Sequence, residues 1–344
     1  MNGFKVNTRC KSISRRRTLV AAVTLSLAAC AAPAMSADLV PVTLRVDVFF
    51  YGSHVPLLAG IVDGTYKKYG LKVTALPGRG SATTLQTVAN QSDDFGFADG
   101  GTLVKLAAQG LKVKMIVGML QKNPMIIMTK KDSGLNNLKD LNGKTGGFSP
   151  GSAPEQLFPA LAEKIGIDLA SIKKISADIP TRDSAFLSGQ TNFSFGYTVT
   201  QLPLLQERCN CKLNVFRYSD YGINAISNGI VVSDALIAKK PDVVRRFAAA
   251  TVESIENAVK DPKTAVDGFF KYAAGKTQLS RNVVTKQWEE TIKILKSNNT
   301  QNMPYGRMSV KDWRETIDLL QKYAGVPKGT VTPSMVYTNK FLPK

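Results

Sequence analysis

The sequence is poor in the side chains that hydrolases and metalloenzymes use. Its 344 residues include one histidine, four cysteines and two tryptophans. With His54 as the single imidazole, a catalytic triad or a metal site would have no spare histidine. No spacing singles out a pair of carboxylates, although Asp side chains from distant parts of the chain could still meet in a cleft. The composition therefore favours binding over nucleophilic or metal-assisted catalysis.

The first 37 residues contain no Asp or Glu. They carry six Lys or Arg, and the apolar stretch over 19–29 is too short to span a bilayer. Small residues at Ala34 and Ser36 predict an export signal over residues 1–37, with cleavage before Ala37 and a periplasmic mature protein. Residues 15–17 also approach a twin-arginine signal. Residues 27–30 resemble a lipobox, which would leave the protein lipid-anchored through Cys30.

The remaining chain is basic but has no long apolar run. The formal net charge is +19, and removing the six leader cations leaves +13. Lys and Arg are spread evenly, without the interleaved aromatic residues of a nucleic-acid platform. We therefore expect no nucleic-acid partner, and an anionic membrane surface or anionic ligand accounts better for the charge.

Two cysteines, Cys209 and Cys211, lie beyond the predicted leader. One residue apart, they are poorly placed for an unstrained disulfide if the segment is extended, because alternating side chains diverge. A strained disulfide, free thiols and a soft-metal site all remain open. A closed metal site is the least favoured of the three, because no other Cys or His lies nearby.

Short strand-like and helix-like segments alternate along the chain. This alternation predicts an α/β protein built from βαβ units with mostly parallel strands, followed by a helical C-terminal region. The strands are predicted at 42–50, 71–76, 95–98, 112–120, 125–129, 172–175, 193–196 and 226–233. The helices are predicted at 57–69, 81–90, 102–109, 155–165, 182–187, 241–260, 262–273, 280–297 and 309–323.

Five short motifs occur in an order that resembles one known family. They lie at 47–57, 60–73, 94–99, 138–144 and 219–222. The chain resembles the solute-binding proteins of ABC importers, in the branch that binds thiamine pyrimidine precursors, sulfonates, taurine and nitrate. The resemblance implies a type II periplasmic-binding fold, with two α/β lobes joined by a two-strand hinge and a ligand cleft between them. Lobe 1 would comprise 38–124 and 223–344, and lobe 2 would comprise 125–222.

The resemblance also implies a monomer that passes a small-molecule solute to an inner-membrane permease, without a cofactor. The aromatic cluster near His54 favours a planar nitrogen heterocycle such as a thiamine pyrimidine precursor, and a riboflavin-like solute is also compatible. The alternatives are a sulfonate, taurine or nitrate ligand, and an extracytoplasmic sensor. Related eukaryotic pyrimidine synthases share the fold and consume their own histidine and a lysine-bound pyridoxal phosphate. They carry a Cys-rich motif that this chain lacks, and they lack the export signal that is predicted here.

In such α/β sheets, ligands bind beyond the carboxyl ends of the strands. The first such loop, at 49–54, offers aromatic rings for stacking and a histidine whose alternative role is to cap the next helix. The second loop, at 78–83, and the fourth, at 148–155, place glycines and hydroxyls before helices. In the third loop, at 98–102, Asp99 either accepts a hydrogen bond from an amine or caps its helix. The predicted ligand-binding residues are Phe50, Tyr51, Ser53, His54, Arg79, Gly80, Ser81, Asp99, Ser149, Gly151, Ser152, Asp178, Tyr197 and Asp220.

Overall fold

The fold was analysed in a computed structural model that describes Met1, residues 38–149 and residues 152–344. The predicted leader after Met1, Cys30 within it, and the candidate site residue Gly151 lie outside the described residues. Residues 38–344 form one compact unit. Within the described ranges, no helix is both long and apolar enough to cross a membrane.

In the described ranges, ten strands alternate with helices. The strands are β1 (Val40–Arg45), β2 (Leu71–Leu76), β3 (Phe95–Asp99), β4 (Val113–Gly118), β5 (Met125–Lys130), β6 (Thr145–Phe148), β7 (Lys173–Ser176), β8 (Phe193–Tyr197), β9 (Leu213–Arg217) and β10 (Asn228–Ser233). The helices are α1 (Val55–Val62), α2 (Thr65–Lys68), α3 (Ser81–Ala89), α4 (Gly100–Ala108), α5 (Ala153–Gln156), α6 (Phe158–Ile165), α7 (Ile179–Leu187), α8 (Gln201–Cys209), α9 (Asp234–Lys239), α10 (Pro241–Lys260), α11 (Pro262–Tyr272), α12 (Arg281–Ile292), α13 (Val310–Tyr323) and α14 (Pro333–Val336).

The strands form two five-stranded mixed sheets with the same arrangement. The strand orders are β2-β1-β3-β10-β4 in the first sheet and β7-β6-β8-β5-β9 in the second. In each sheet the fourth strand, β10 or β5, is antiparallel to both of its neighbours. The chain passes between the sheets twice, through residues 119–124 and 218–227. This α/β architecture confirms the predicted fold class.

Several predicted elements end earlier than expected. β1 stops at Arg45 rather than at residue 50, because the chain turns and Asp47 accepts a hydrogen bond from the next backbone N–H. The predicted helix over 57–69 divides at Gly64, whose φ of +88° is a left-handed conformation that suits glycine. Neither α8 nor β9 was predicted, since their sequence lacks a clear apolar period.

The segment that follows α8 contains a disulfide bond. Cys209 and Cys211 are bonded, with their Cα atoms 5.0 Å apart, within the usual range for disulfides. The segment is not extended as the sequence argument assumed: Asn210 ends α8 in a left-handed conformation with φ of +46°. That turn brings the two sulfurs to the same side. The disulfide is thus the alternative that the structure contains.

Candidate functional site

A cavity of about 980 Å³ lies where strands of both sheets end. In the first sheet, Asn228 at the start of β10 pairs with Asp99 at the end of β3. In the second sheet, Met125 at the start of β5 pairs with Tyr197 at the end of β8. The antiparallel fourth strands therefore begin beside the carboxyl ends of their parallel neighbours. Side chains from both sheets line one shared space.

Asp47 organises the first-sheet side of the cavity. One carboxylate oxygen, Oδ1, accepts from the Val48 backbone N–H at 2.9 Å and lies 3.1 Å from Nε2 of His54. The other, Oδ2, accepts from the Tyr51 hydroxyl at 3.2 Å and from the Asn228 amide at 2.9 Å. Four donors occupy the acceptor positions that a carboxylate offers. Asp47 therefore holds its neighbours in place and has little capacity left for a ligand.

His54 lies behind Asp47 and is fully buried. Its Nδ1 accepts from the Tyr51 backbone N–H at 3.3 Å, so the proton is on Nε2, which donates to Asp47. The ring also packs edge-on against Phe97, with centroids 4.9 Å apart. The sequence analysis expected this imidazole to contact a ligand at the cleft mouth. Both ring nitrogens instead bond within the protein, so His54 supports the site from behind.

The three consecutive aromatic residues after β1 point in different directions. Phe49 is 54% exposed and lines the cavity, whereas Phe50 is fully buried and packs edge-on against Tyr272 at 6.0 Å. Tyr51 lines the cavity, with its ring 6.2 Å from that of Phe49 in an edge arrangement. Phe50 was predicted to contact the ligand, and the structure places it in the core. The ring that faces the cavity is that of Phe49, which was not among the predicted ligand-binding residues.

The glycine-rich turn after β2 packs against the segment that contains Asp47. A Cβ on Gly78 would lie 2.0 Å from the Val46 carbonyl oxygen, so only glycine fits there. The Gly80 backbone N–H donates to the Asp47 carbonyl at 2.6 Å. Arg79 is exposed and does not line the cavity. The turn therefore acts on the site through its backbone.

Asp99 and Tyr197 occupy matching strand ends and both line the cavity. Oδ2 of Asp99 caps α4 by accepting from the Thr102 N–H at 2.7 Å and hydroxyl at 2.9 Å. Its Oδ1 has only a 3.4 Å contact, from the Ser227 hydroxyl. Burial raises the pKa of Asp99. Burial, followed by the negative charge of Asp99, also raises the pKa of Tyr197, so its hydroxyl stays protonated.

A buried group of charges borders the cavity on the second-sheet side. Arg182 is 2% exposed and Asp183 is 3% exposed. Oδ1 of Asp183 accepts from Nε of Arg182 at 3.1 Å and from Nη2 at 2.8 Å. Nη1 of Arg182 lies 3.6 Å from Oε1 of Glu155. Burial raises the pKa of both carboxyls, and only Asp183 of these three residues lines the cavity.

A polar contact connects α8 with α12 at the cavity rim. The Glu207 carboxylate accepts from the Ser280 hydroxyl and from the Asn282 amide, each at 2.7 Å. These two bonds, that of Asn282 first, lower the pKa of Glu207. A second contact joins the Gln287 amide to the Thr200 carbonyl at 3.2 Å. These bonds link a helix of the second-sheet region to one that follows the first sheet.

The structure brings some of the predicted site residues together and separates the others. Tyr51, Ser81, Asp99 and Tyr197 line the cavity. The remaining described candidates lie in the core, in backbone turns or at exposed positions away from it: Phe50, Ser53, His54, Arg79, Gly80, Ser149, Ser152, Asp178 and Asp220. Ser53 is buried against Thr291 at 2.9 Å, and Asp178 caps α7 by accepting from the Thr181 N–H at 2.9 Å.

Sequence reasoning missed most of the second-sheet and C-terminal lining. The lining residues that were not among the predicted ligand-binding residues include Asp47, Phe49, Asp183, Thr200, Gln201, Leu204, Glu207, Arg208, Asn228, Lys276 and Leu279. Asp47 and Phe49 follow a strand directly and could have been found by position. The α8 residues could not, because the helix itself was not predicted.

Residues 147–151 have the Gly-x-Ser-x-Gly spacing of a nucleophile elbow. Ser149 lies between β6 and α5 and is 5% exposed. The imidazole of His54 is held by Asp47 and Tyr51 and makes no contact with this serine. In the described structure, no hydrogen bond joins the Ser149 hydroxyl to a base. The same part of the chain contains no cluster of three or more His, Cys, Asp or Glu that could hold a metal ion.

Comparison with known proteins gives a consistent family signal. The model of a family described as NMT1/THI5-like matches residues 52–265, more than half of the chain. A riboflavin-binding protein, RibY, from Chloroflexus aurantiacus is 26% identical over 322 residues, covering 91% of this chain and 90% of the relative. A 4-amino-5-hydroxymethyl-2-methylpyrimidine phosphate synthase from Legionella pneumophila is 23% identical, covering 90% of this chain and 95% of the relative.

Solved structures support the same fold. The periplasmic aliphatic sulphonate-binding protein SsuA from Escherichia coli superposes with a TM-score of 0.69 at 15% identity, covering 88% of this chain and 94% of that one. The alkanesulfonate-binding SsuA from Xanthomonas axonopodis gives a TM-score of 0.65 at 15% identity, covering 87% and 98%. At these identities the likeness establishes the architecture and leaves the ligand open.

Proposed function

Because this chain belongs to the NMT1/THI5-like family, we propose that it is the extracytoplasmic solute-binding component of an ABC importer. Its ligand would be a planar nitrogen heterocycle that the protein delivers to an inner-membrane permease. Residues 38–124 with 223–344 would form one lobe and residues 125–222 the other. The two connections between the sheets would then act as the hinge for cleft closure.

The observation that carries the choice of ligand is the exposed ring of Phe49 beside the anchored ring of Tyr51. A large aromatic side chain that is 54% exposed inside a cavity offers a flat face to another ring. Tyr51 is fixed by its bond to Asp47, so one side of the site is preorganised. Apolar residues at Leu204 and Leu279 extend the lining. This surface suits a planar, largely apolar solute.

Cavity size and charge narrow the class of ligand further. A volume of about 980 Å³ lies near the upper end of the ~300–1,000 Å³ usual for small-molecule sites. Such a volume accommodates a fused-ring heterocycle such as a flavin more fully than a single pyrimidine. The name of the RibY relative supports riboflavin as the first compound to test, with the thiamine pyrimidine precursor second.

The charges of the lining disfavour a sulfonate or nitrate. The four acidic residues Asp47, Asp99, Asp183 and Glu207 line the cavity, against the two cationic residues Arg208 and Lys276. An inorganic or sulfonate anion would meet a net negative surface, which repels it. Ser149 and Ser152 do not line the cavity. These are the predicted ligand-binding serines of the second-sheet side, whose hydroxyls would suit an anion.

A synthase role is the alternative, because two relatives are named as pyrimidine phosphate synthases. The synthases that the sequence analysis considered consume their own histidine. In this chain the histidine is fully buried and bonded at both nitrogens. This position supports binding without turnover.

The direct test is a binding screen on the mature protein at neutral pH. Riboflavin, 4-amino-5-hydroxymethyl-2-methylpyrimidine and taurine would each be titrated by calorimetry. We expect riboflavin or the pyrimidine to bind and to be recovered unchanged by mass spectrometry. A ligand at a hundred times its Kd should add about 2.7 kcal/mol to the free energy of unfolding. Taurine binding alone, or chemical conversion of a bound heterocycle, would refute the proposal.

A further inference from the structure

Asp183 differs from the other buried carboxylates of the cavity because one of its oxygens is unused. Its side chain is 3% exposed and lines the cavity. Both hydrogen bonds from Arg182 fall on Oδ1. Within the described part of the chain, Oδ2 has no hydrogen-bond partner. Oδ2 is therefore an acceptor at the cavity wall that no protein donor occupies, and it is available to a ligand that supplies an N–H or O–H.

The charges around Asp183 make this oxygen a strong acceptor. The Arg182 guanidinium lies between Oδ1 of Asp183 and Oε1 of Glu155, so two carboxylates share one cation. Glu155 does not line the cavity, so Asp183 is the carboxylate of this group that faces it. Arg208 also lines the cavity, and its positive charge acts on Asp183 without forming an ion pair among the described contacts. The two Arg182 bonds converge on Oδ1, which leaves Oδ2 available to another donor.

The first-sheet side also has a carboxylate oxygen that is only weakly bonded, Oδ1 of Asp99. Asp47 is saturated by four donors, whereas Oδ1 of Asp99 has only the long contact from Ser227. Asp99 ends β3 in the first sheet, and Asp183 lies in α7 beside the second sheet. The cavity thus has one available carboxylate oxygen on each side. A ligand with donors at both ends would contact both sheets at once.

We infer that Asp183 is the specificity-determining residue of the second-sheet side, and that it selects ligands presenting an N–H or O–H donor. This inference rests on the proposed function and narrows it to heterocycles with donors on two sides. Flavins and aminopyrimidines with a hydroxyl meet this requirement, and simple anions do not. Arg182 is a positioning residue, since it contacts Asp183 and does not line the cavity.

The test uses Asp183→Asn in the mature protein, with riboflavin as the probe and calorimetry as the readout. An asparagine can keep one oxygen on Arg182 while placing an N–H donor where Oδ2 faced the ligand. We expect riboflavin affinity to fall at least tenfold. The matched control is Asp178→Asn, which changes a carboxylate at the start of the same helix outside the cavity, and asparagine is an equally good helix cap. Its affinity should stay within twofold of wild type.

The outcomes separate this inference from the proposed function. If wild type binds riboflavin and Asp183→Asn binds it within twofold, the inference fails and the proposed function stands. If wild type binds neither riboflavin nor the pyrimidine, both fail. Should Asp183→Asn not fold, wild type is titrated with 3-methylriboflavin, which lacks the ring N–H, and with lumiflavin, which lacks the hydroxylated chain. At least one of these two analogues should bind at least tenfold more weakly than riboflavin. If both bind as tightly as riboflavin, the inference is overturned.

Discussion

Asp47→Asn should be among the most damaging single-atom changes at this site. The substitution replaces one carboxylate oxygen by an NH₂ group and keeps the size of the side chain. Each oxygen currently receives two donors. Whichever oxygen is replaced, the new amide faces two donors and accepts neither. His54 cannot adapt by moving its proton to Nδ1, because that atom already accepts from the Tyr51 backbone N–H.

The expected cost follows from the number of bonds lost. A hydrogen bond to a charged group contributes about 1.5–3 kcal/mol. Losing two of them, at a residue that is 9% exposed, should lower the free energy of unfolding by about 3–6 kcal/mol, a large share of the 5–15 kcal/mol typical of a domain. Ligand affinity should fall as well, because Tyr51 and Asn228 lose their common anchor.

Urea denaturation followed by circular dichroism would measure the stability, and calorimetry with riboflavin the affinity. Asp220→Asn is the control, since Asp220 is exposed and lies outside the cavity. It should change the free energy of unfolding by less than about 0.5 kcal/mol. If Asp47→Asn were as stable as this control, Asp47 would not be the organising residue and the arrangement described here would be wrong.

Three further predictions concern packing and the disulfide. Phe49→Ala should weaken heterocycle binding at least tenfold with little change in melting temperature. Phe50→Ala, at a fully buried ring, should instead lower the free energy of unfolding by about 3–5 kcal/mol in urea denaturation. The reverse pattern would contradict the roles assigned to the two rings. Gly78→Ala should destabilise by about 1–3 kcal/mol, since its Cβ would meet a carbonyl oxygen at 2.0 Å, and an unchanged melting curve would refute this close contact. Replacing Cys209 and Cys211 by serine should cost no more than about 1.6 kcal/mol, because the disulfide closes a loop of only three residues; a loss above about 3 kcal/mol would show that it does more than close this loop.

The sequence predicted the architecture well because local patterns determine it. Alternating strands and helices with glycine or capping residues between them identified eight of the ten described strands within a few residues. β6 and β9 are the other two. The ends of β1 and α1 were misplaced because single residues within the chain decided them locally. Asp47 draws the backbone out of the strand, and Gly64 breaks the helix.

Prediction of the site was weaker because position along the chain does not fix side-chain direction. The sequence analysis recognised 49–54 as a ligand loop but could not tell which ring pointed outward. Packing against Tyr272 takes Phe50 into the core, and Phe49 is thereby left exposed. His54 was chosen for its chemistry, yet its neighbours use both nitrogens. The ring nitrogens of a histidine can form hydrogen bonds with other groups of the protein as readily as with a ligand.

The repeated sheet topology explains which of the predicted residues line the cavity and where the two halves differ. β3 and β8 hold the same place in their sheets, and their last residues, Asp99 and Tyr197, both line the cavity. Both were predicted from strand-end position alone. The segments that follow β2 and β7 also hold corresponding places. The first contributes Ser81, the first residue of α3, and the second contributes Asp183, the fifth residue of α7. The shared topology therefore explains where the cavity lies, and the corresponding segments line it with different residues.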